Sequence, residues 1–132
     1  MKPLCIYHGN CDDGFASAWV VHTALSGEVE LYPGVYQTDP PDVSGRNVIM
    51  VDFSYKRPVL EEMAKVASSI RIFDHHKTAM EDLSDLPQPD GIVKFSAVFD
   101  MNRSGAGLTW DCLCPGHPRP PFIDYIEDRD LW

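Results

Sequence analysis

An imidazole and two carboxylates crowd the segment His8-Gly9-Asn10-Cys11-Asp12-Asp13-Gly14, and Asp74-His75-His76-Lys77 repeats those side-chain types later in the chain. Helix capping accounts for the first cluster taken alone: Asp12 or Asp13 would accept from free N–H groups at a helix start, with Gly14 easing the turn. The second cluster changes the reading, because adjacent histidines at a strand end point in different directions and rarely serve packing. Asp52 follows the run Val48-Ile49-Met50-Val51, where an unpaired carboxylate would be unfavourable and a cation would neutralise it. With Asp128, these residues offer carboxylate and imidazole donors and require no thiolate, a set that suits Mn²⁺ or Mg²⁺ better than structural zinc. Asp12, Asp13, Asp52, Asp74 and Asp128 in one cleft would repel one another unless about two divalent ions sat among them. Two ions about 3.5–4 Å apart are a standard device for phosphoester hydrolysis.

Three short apolar runs must position these groups. Leu4-Cys5-Ile6-Tyr7 stops at His8, Val48-Ile49-Met50-Val51 at Asp52, and Ile70-Arg71-Ile72-Phe73 at Asp74. Such runs read as strands buried on both faces, as a parallel sheet covered by helices requires. Phe15, Ala18, Trp19 and His22, widened by Ala16 and Val20, set a helical stripe that Gly27 ends. Pro58 suits a first helical turn, and Val59, Met63 and Val66 with Leu60, Ala64 and Ala67 make the next amphipathic helix. Further strands are expected at Val29–Tyr32 and Ile92–Phe95, a surface loop over Pro33–Arg46, and an acidic connection over Met80–Gly91. A helix opens at Ser104-Gly105-Ala106 and runs through Leu113; a last one starts near Pro121 and carries Phe122, Tyr125 and Ile126. The expectation is an α/β fold, a parallel sheet flanked by helices, with residues 1–132 as one domain. Ligands bind such sheets at the carboxyl ends of the strands, which is where His8, Asp52 and Asp74 fall.

The chain has 132 residues, 44% of them hydrophobic, and a formal charge of −9. That composition supports a folded core, and its acidity opposes capture of duplex nucleic acid by bulk attraction. A phosphate-bearing partner must then be held locally, by a multivalent cation first of all. No stretch has the length of a membrane helix, and the opening residues turn polar too soon for a signal peptide, so the chain reads as soluble and cytoplasmic. Cys5, Cys11, Cys112 and Cys114 form no secreted disulfide framework. Cys112, Cys114 and His117 fall one ligand short of a structural zinc site, with a Cys-x-Cys spacing narrower than usual.

His8 through Gly14, Val51-Asp52-Phe53-Ser54, Asp74-His75-His76, Ser104-Gly105-Ala106 and Asp128-Arg129-Asp130-Leu131-Trp132 together resemble, in order and over almost the whole chain, the DHH phosphoesterase superfamily. That group includes the RecJ exonuclease, oligoribonuclease and phosphoadenosine phosphatases, and manganese-dependent pyrophosphatases; the oligoribonuclease type is the nearest likeness. The resemblance implies metal ligation by His8, Asp13, Asp52, His75 and Asp128. Asp52 would bridge two ions; Asp13, His75 and Asp128 would complete one, and His8 would help hold the other. Asp74 would ligate or orient a neighbouring histidine, and His76 would face the substrate phosphate, making His76 and Asp52 the catalytic pair. Lys77, Arg129 and the helix start at Ser104 and Gly105 are candidate phosphate contacts, with solvated charge or simple capping as the alternative. Two departures stand out. The commoner first motif has a second aspartate where this chain has Cys11, which leaves three readings open: Asp12 substitutes through a shifted turn, Cys11 itself ligates, or the ion there is weakly held. Family phosphoesterases also usually carry a second, smaller substrate domain after the fourth motif, beyond which this sequence stops.

The leading expectation is a metal-dependent phosphoesterase that hydrolyses a nucleotide or short oligonucleotide through a metal-bridged hydroxide. The rivals are a noncatalytic metal- or nucleotide-binding module, or an incomplete domain whose substrate surface comes from a partner or a second copy; a manganese-dependent pyrophosphatase; and a plain α/β domain whose aspartates cap helices.

Overall fold

The computed structural model describes residues 1–83 and 94–131. Strands β1 (Leu4–His8), β2 (Glu30–Gly34), β3 (Asn47–Val51), β4 (Ser69–Asp74) and β5 (Lys94–Phe99) form one parallel sheet in the order β2-β1-β3-β4-β5. Helices α1 (Asp12–Ala24), α2 (Arg57–Ala64), α3 (Lys77–Leu83), α4 (Gly105–Leu113) and α5 (Pro121–Asp130) complete the α/β architecture.

Successive strand residues face opposite sides. Leu4, Ile6, Val48, Met50, Ile70 and Ile72 pack with Leu60 and Met63 of α2 and Leu83 of α3. Cys5, Ile49, Val51 and Phe73 turn to the other face, against Val21 of α1 and Leu108 of α4. Double-sided burial is why the runs are almost continuously apolar. An outer layer of Ala16, Val20, Ala106, Trp110 and Ile123 ties α1, α4 and α5 together.

The path from β1 to β2 goes to one side, whereas β3 returns to the other side of β1. The carboxyl ends of β1 and β3 therefore flank the crevice where the strand order reverses, the favoured ligand position in open parallel sheets. His8 ends β1, Asp52 immediately follows β3, and Asp74 ends β4.

Several expectations change in detail. In α1 the buried residues are Asp13, Gly14, Ala16, Ser17, Ala18, Val20 and Val21, while Phe15 and His22 are exposed and Trp19 is 36% exposed. Small residues win these positions because α1 packs closely on α4, whose first turn is Gly105-Ala106-Gly107. Trp19 instead meets Phe122 edge-on at 4.9 Å. In α5, Ile123 is buried and Tyr125 exposed, and Val66 lies past the end of α2 in solvent. Pro33 and Gly34 extend β2 rather than opening the loop, since an edge strand tolerates proline. Ile92 and Val93 of the expected fifth strand, most of the acidic connection and Trp132 fall outside the described residues. Among those described, no helix is long and apolar enough to cross a membrane.

Candidate metal centre

Asp52 sits at the reversal point in a left-handed backbone conformation, φ 55°, that few residues other than Gly, Asn and Asp adopt readily. This turn points its carboxylate back along the strand ends, where it is 1% exposed. Its two oxygens face different groups. Oδ1 lies 2.8 Å from His75 Nε2. Oδ2 lies 3.5 Å from His8 Nδ1 and 3.6 Å from Cys11 Sγ. His8 Nδ1 and Asp52 Oδ1 are buried without a hydrogen-bond partner, so the short His75 approach is a contact without hydrogen-bond alignment. Adjacent ligands on one octahedral ion at 2.0–2.1 Å lie about 3 Å apart, which matches that spacing.

Asp13, at the start of α1, is held from the opposite side. Its Oδ2 and Oδ1 accept from the backbone N–H groups of Gly105 and Ala106, each at 2.8 Å, and Oδ2 comes within 3.4 Å of His75 Nε2. Asp130 Oδ2 reaches the other ring nitrogen of His75, Nδ1, at 3.5 Å. Three donor groups thus meet around Asp52 and His75: His8, Cys11 and Asp52 on one side, Asp13, His75 and Asp130 on the other, and Asp52, Asp74, His75 and His76 between them. Asp74 is fully buried; its Oδ1 accepts from the His75 backbone N–H at 2.8 Å and from His76 Nδ1 at 2.6 Å. It therefore orients both histidines, while its Oδ2 has no hydrogen-bond partner and is left able to ligate.

The expected residues separate accordingly. His8, Asp13, Asp52, Asp74, His75 and His76 converge. Asp12 does not: its side chain is 83% exposed and lies 3.8 Å from Arg129, so both form a surface pair beside the site. Asp128 is exposed, and Asp130 takes the position expected of it, because two helical positions are roughly 200° of rotation. Ser104 is buried as the N-cap of α4, accepting from Gly107 N–H, and its own N–H donates to Glu127. With the Gly105 and Ala106 N–H groups spent on Asp13, this helix start holds a carboxylate rather than the expected phosphate. Lys77 lies 3.9 Å from Glu81 along α3, largely in solvent. Cys11, a weighed alternative at one ion, joins a donor group that the carboxylate-and-imidazole reading left without sulfur. Cys112, Cys114 and His117 form no such group among the described residues.

A cavity of about 750 Å³ opens beside His76 and is lined also by Tyr36, Tyr55 and Lys56. Asp74 raises the His76 imidazolium above its ordinary value. Burial would raise Asp52, but the His75 and His8 rings outweigh it and hold the carboxyl at about 2. Burial, reinforced by the Asp52 charge, lifts Asp13 to about 7 against the two α4 N–H groups. Burial would lower His75, yet Asp52 outweighs it and raises the ring to about 9.

These shifts fix a pH dependence. The raised values of Asp13 and His75 add stability that is complete below their ordinary values of 3.8 and 6.5 and is lost as pH rises through about 7 and about 9. The lowered value of Asp52 adds stability present above 3.8 and lost as pH falls through about 2. A cation competes with the protons on Asp13 and His75. Between pH 6 and 9 the melting temperature in chelator should therefore fall while the increment given by Mn²⁺ grows; calorimetry with and without the ion measures both.

The chain is 34% identical, over an alignment of 145 residues covering 98% of its length, to the uncharacterized protein R106 of Acanthamoeba polyphaga mimivirus. It spans 33% of that relative's length. No family model and no solved structure matches the chain.

Proposed function

We propose that this chain is a metal-dependent phosphoesterase of the DHH type, acting on a nucleotide or short oligonucleotide. The observation that carries the reading is the buried Asp52, whose two oxygens serve two separate donor groups across the strand-end crevice. His8, Cys11 and Asp52 would hold one ion and Asp13, His75 and Asp130 the other, with Asp52 Oδ1 2.8 Å from His75 Nε2 and Mn²⁺ or Mg²⁺ suited to the oxygen-rich second group. When bound, such a pair of ions supplies Lewis-acid activation of water and neutralises charge on the phosphate. Asp74 fixes His76 through Nδ1 and leaves Nε2 to meet the phosphate at the cavity mouth. The raised imidazolium favours Nε2 as the proton donor to the departing oxygen. A small substrate suits the acidic chain, and a cytoplasmic setting accords with four free cysteines.

Metal-stripped protein reloaded with Mn²⁺ should cleave a dinucleotide faster than pyrophosphate; the reverse order favours a pyrophosphatase, and ion binding without hydrolysis of either sinks the enzyme reading. Within the site, Asp130→Asn should weaken Mn²⁺ binding by at least the roughly 10–100-fold typical of an outer-shell partner, read by titration calorimetry, whereas Asp128→Asn should leave it unchanged. Equal losses in the two variants would mean that α5 presents a different face.

A further inference from the structure

Two donors stand around Asp52 Oδ2 in a geometry unlike that on its other side. Cys11 Sγ is 3.6 Å and His8 Nδ1 3.5 Å from this oxygen. For a tetrahedral ion with ordinary zinc bond lengths, sulfur and oxygen ligands lie about 3.6 Å apart and nitrogen and oxygen ligands about 3.4 Å apart. Octahedral edges are shorter, about 3 Å, as the 2.8 Å between His75 Nε2 and Asp52 Oδ1 is. A further observation points to a ligand here. His8 Nδ1, 3.5 Å from Oδ2, is a buried nitrogen with no hydrogen-bond partner. Cys11 is also the N-cap of α1 and makes no side-chain cap bond; its thiol donates instead to Asp52 Oδ2.

Resting on the two-cation reading above, we propose that the centre is chemically asymmetric: His8, Cys11 and Asp52 form a tetrahedral, thiolate-bearing site for a Zn²⁺-like ion, with solvent or substrate as the fourth ligand. The oxygen-rich group of Asp13, His75 and Asp130 takes the harder ion. Binding releases the Cys11 proton to solvent and forms one metal–sulfur bond, with no change of oxidation state. Thiolate selects for softer ions, and the neighbouring carboxylates for Mn²⁺ or Mg²⁺, so the two ions are sorted by donor type.

Co²⁺ tests this, because a thiolate ligand gives it a near-ultraviolet charge-transfer band and tetrahedral geometry gives intense visible bands. The full chain, reduced and metal-free, is titrated with Co²⁺, Zn²⁺ and Mn²⁺ beside Cys11→Ser, Cys11→Asp and a Cys112→Ser/Cys114→Ser control. Ser and Asp are favoured N-cap residues, so both Cys11 variants keep α1. The expected result is a thiolate band in the wild type and the control and none in either Cys11 variant. Cys11→Ser should lose more Zn²⁺ affinity than the roughly 10–100-fold typical of an outer-shell partner, with Mn²⁺ affinity at the second group little changed. Cys11→Asp should take up a second Mn²⁺. A wild type that binds two ions without the thiolate band, or Zn²⁺ affinity unaffected by Cys11→Ser, overturns the asymmetry and leaves the two-cation reading standing. Failure to bind any divalent ion overturns both.

Discussion

Asp52→Asn should lower Mn²⁺-dependent hydrolysis by about a thousandfold or more while the fold survives. On the proposed reading, ions held in part by this carboxylate would lose charge compensation when it is neutralised, and several kcal/mol of transition-state stabilisation would go with them. Asparagine is the informative replacement. It fits the same volume and tolerates the φ of 55° at this position, where alanine would add backbone strain to the loss of the carboxylate. The variant also removes the largest of the groups that raise His75 to about 9, so the ring's pKa should fall. Turnover of a dinucleotide, ion stoichiometry by calorimetry and far-ultraviolet circular dichroism separate the outcomes. Retained turnover in a variant with unchanged dichroism would remove the shared-carboxylate mechanism.

The sheet and the strand-end donors were legible because the physics is local. A run such as Val48-Ile49-Met50-Val51 is apolar on both faces, and a charged residue directly after it must lie at the sheet's edge. Helix rotation was harder to read. Phe15 and Trp19 are the large apolar residues of α1, yet close packing on α4 selects Ala16, Ser17 and Val20, leaving Phe15 exposed and Trp19 edge-on to Phe122. The choice of Asp130 over Asp128 follows the same logic, and a signal for it was present: Ile123, Ile126 and Asp130 fall at i, i+3 and i+7, and Ile123 is fully buried. The occupation of the α4 N–H groups by Asp13 had no such signal, since the two segments are 92 residues apart in the chain and meet only through the fold.

That meeting makes Gly105→Ala the sharper test of how the site is built. A methyl at Gly105 would lie 2.5 Å from Asp52 Cβ and 2.7 Å from its Oδ1. Both partners are confined, Asp52 by its turn after β3 and Gly105 by the first turn of α4. Relief requires α4 to retreat, which breaks the Gly105 and Ala106 bonds that hold the buried Asp13 carboxylate. Alanine gains about 1 kcal/mol of helix propensity, but overpacking costs about 1–3 kcal/mol and each lost bond to a charged group about 1.5–3 kcal/mol. A net destabilisation of at least about 3 kcal/mol is expected, read as a drop of roughly 10 °C or more in melting temperature. Mn²⁺ affinity should fall with it, because Asp13 is released from the position that brings it to His75. A glycine whose N–H binds substrate phosphate would behave differently, raising KM while leaving stability and ion affinity intact. The melting temperature and the ion titration of this one variant therefore decide whether α4 serves the metal ligands or the substrate.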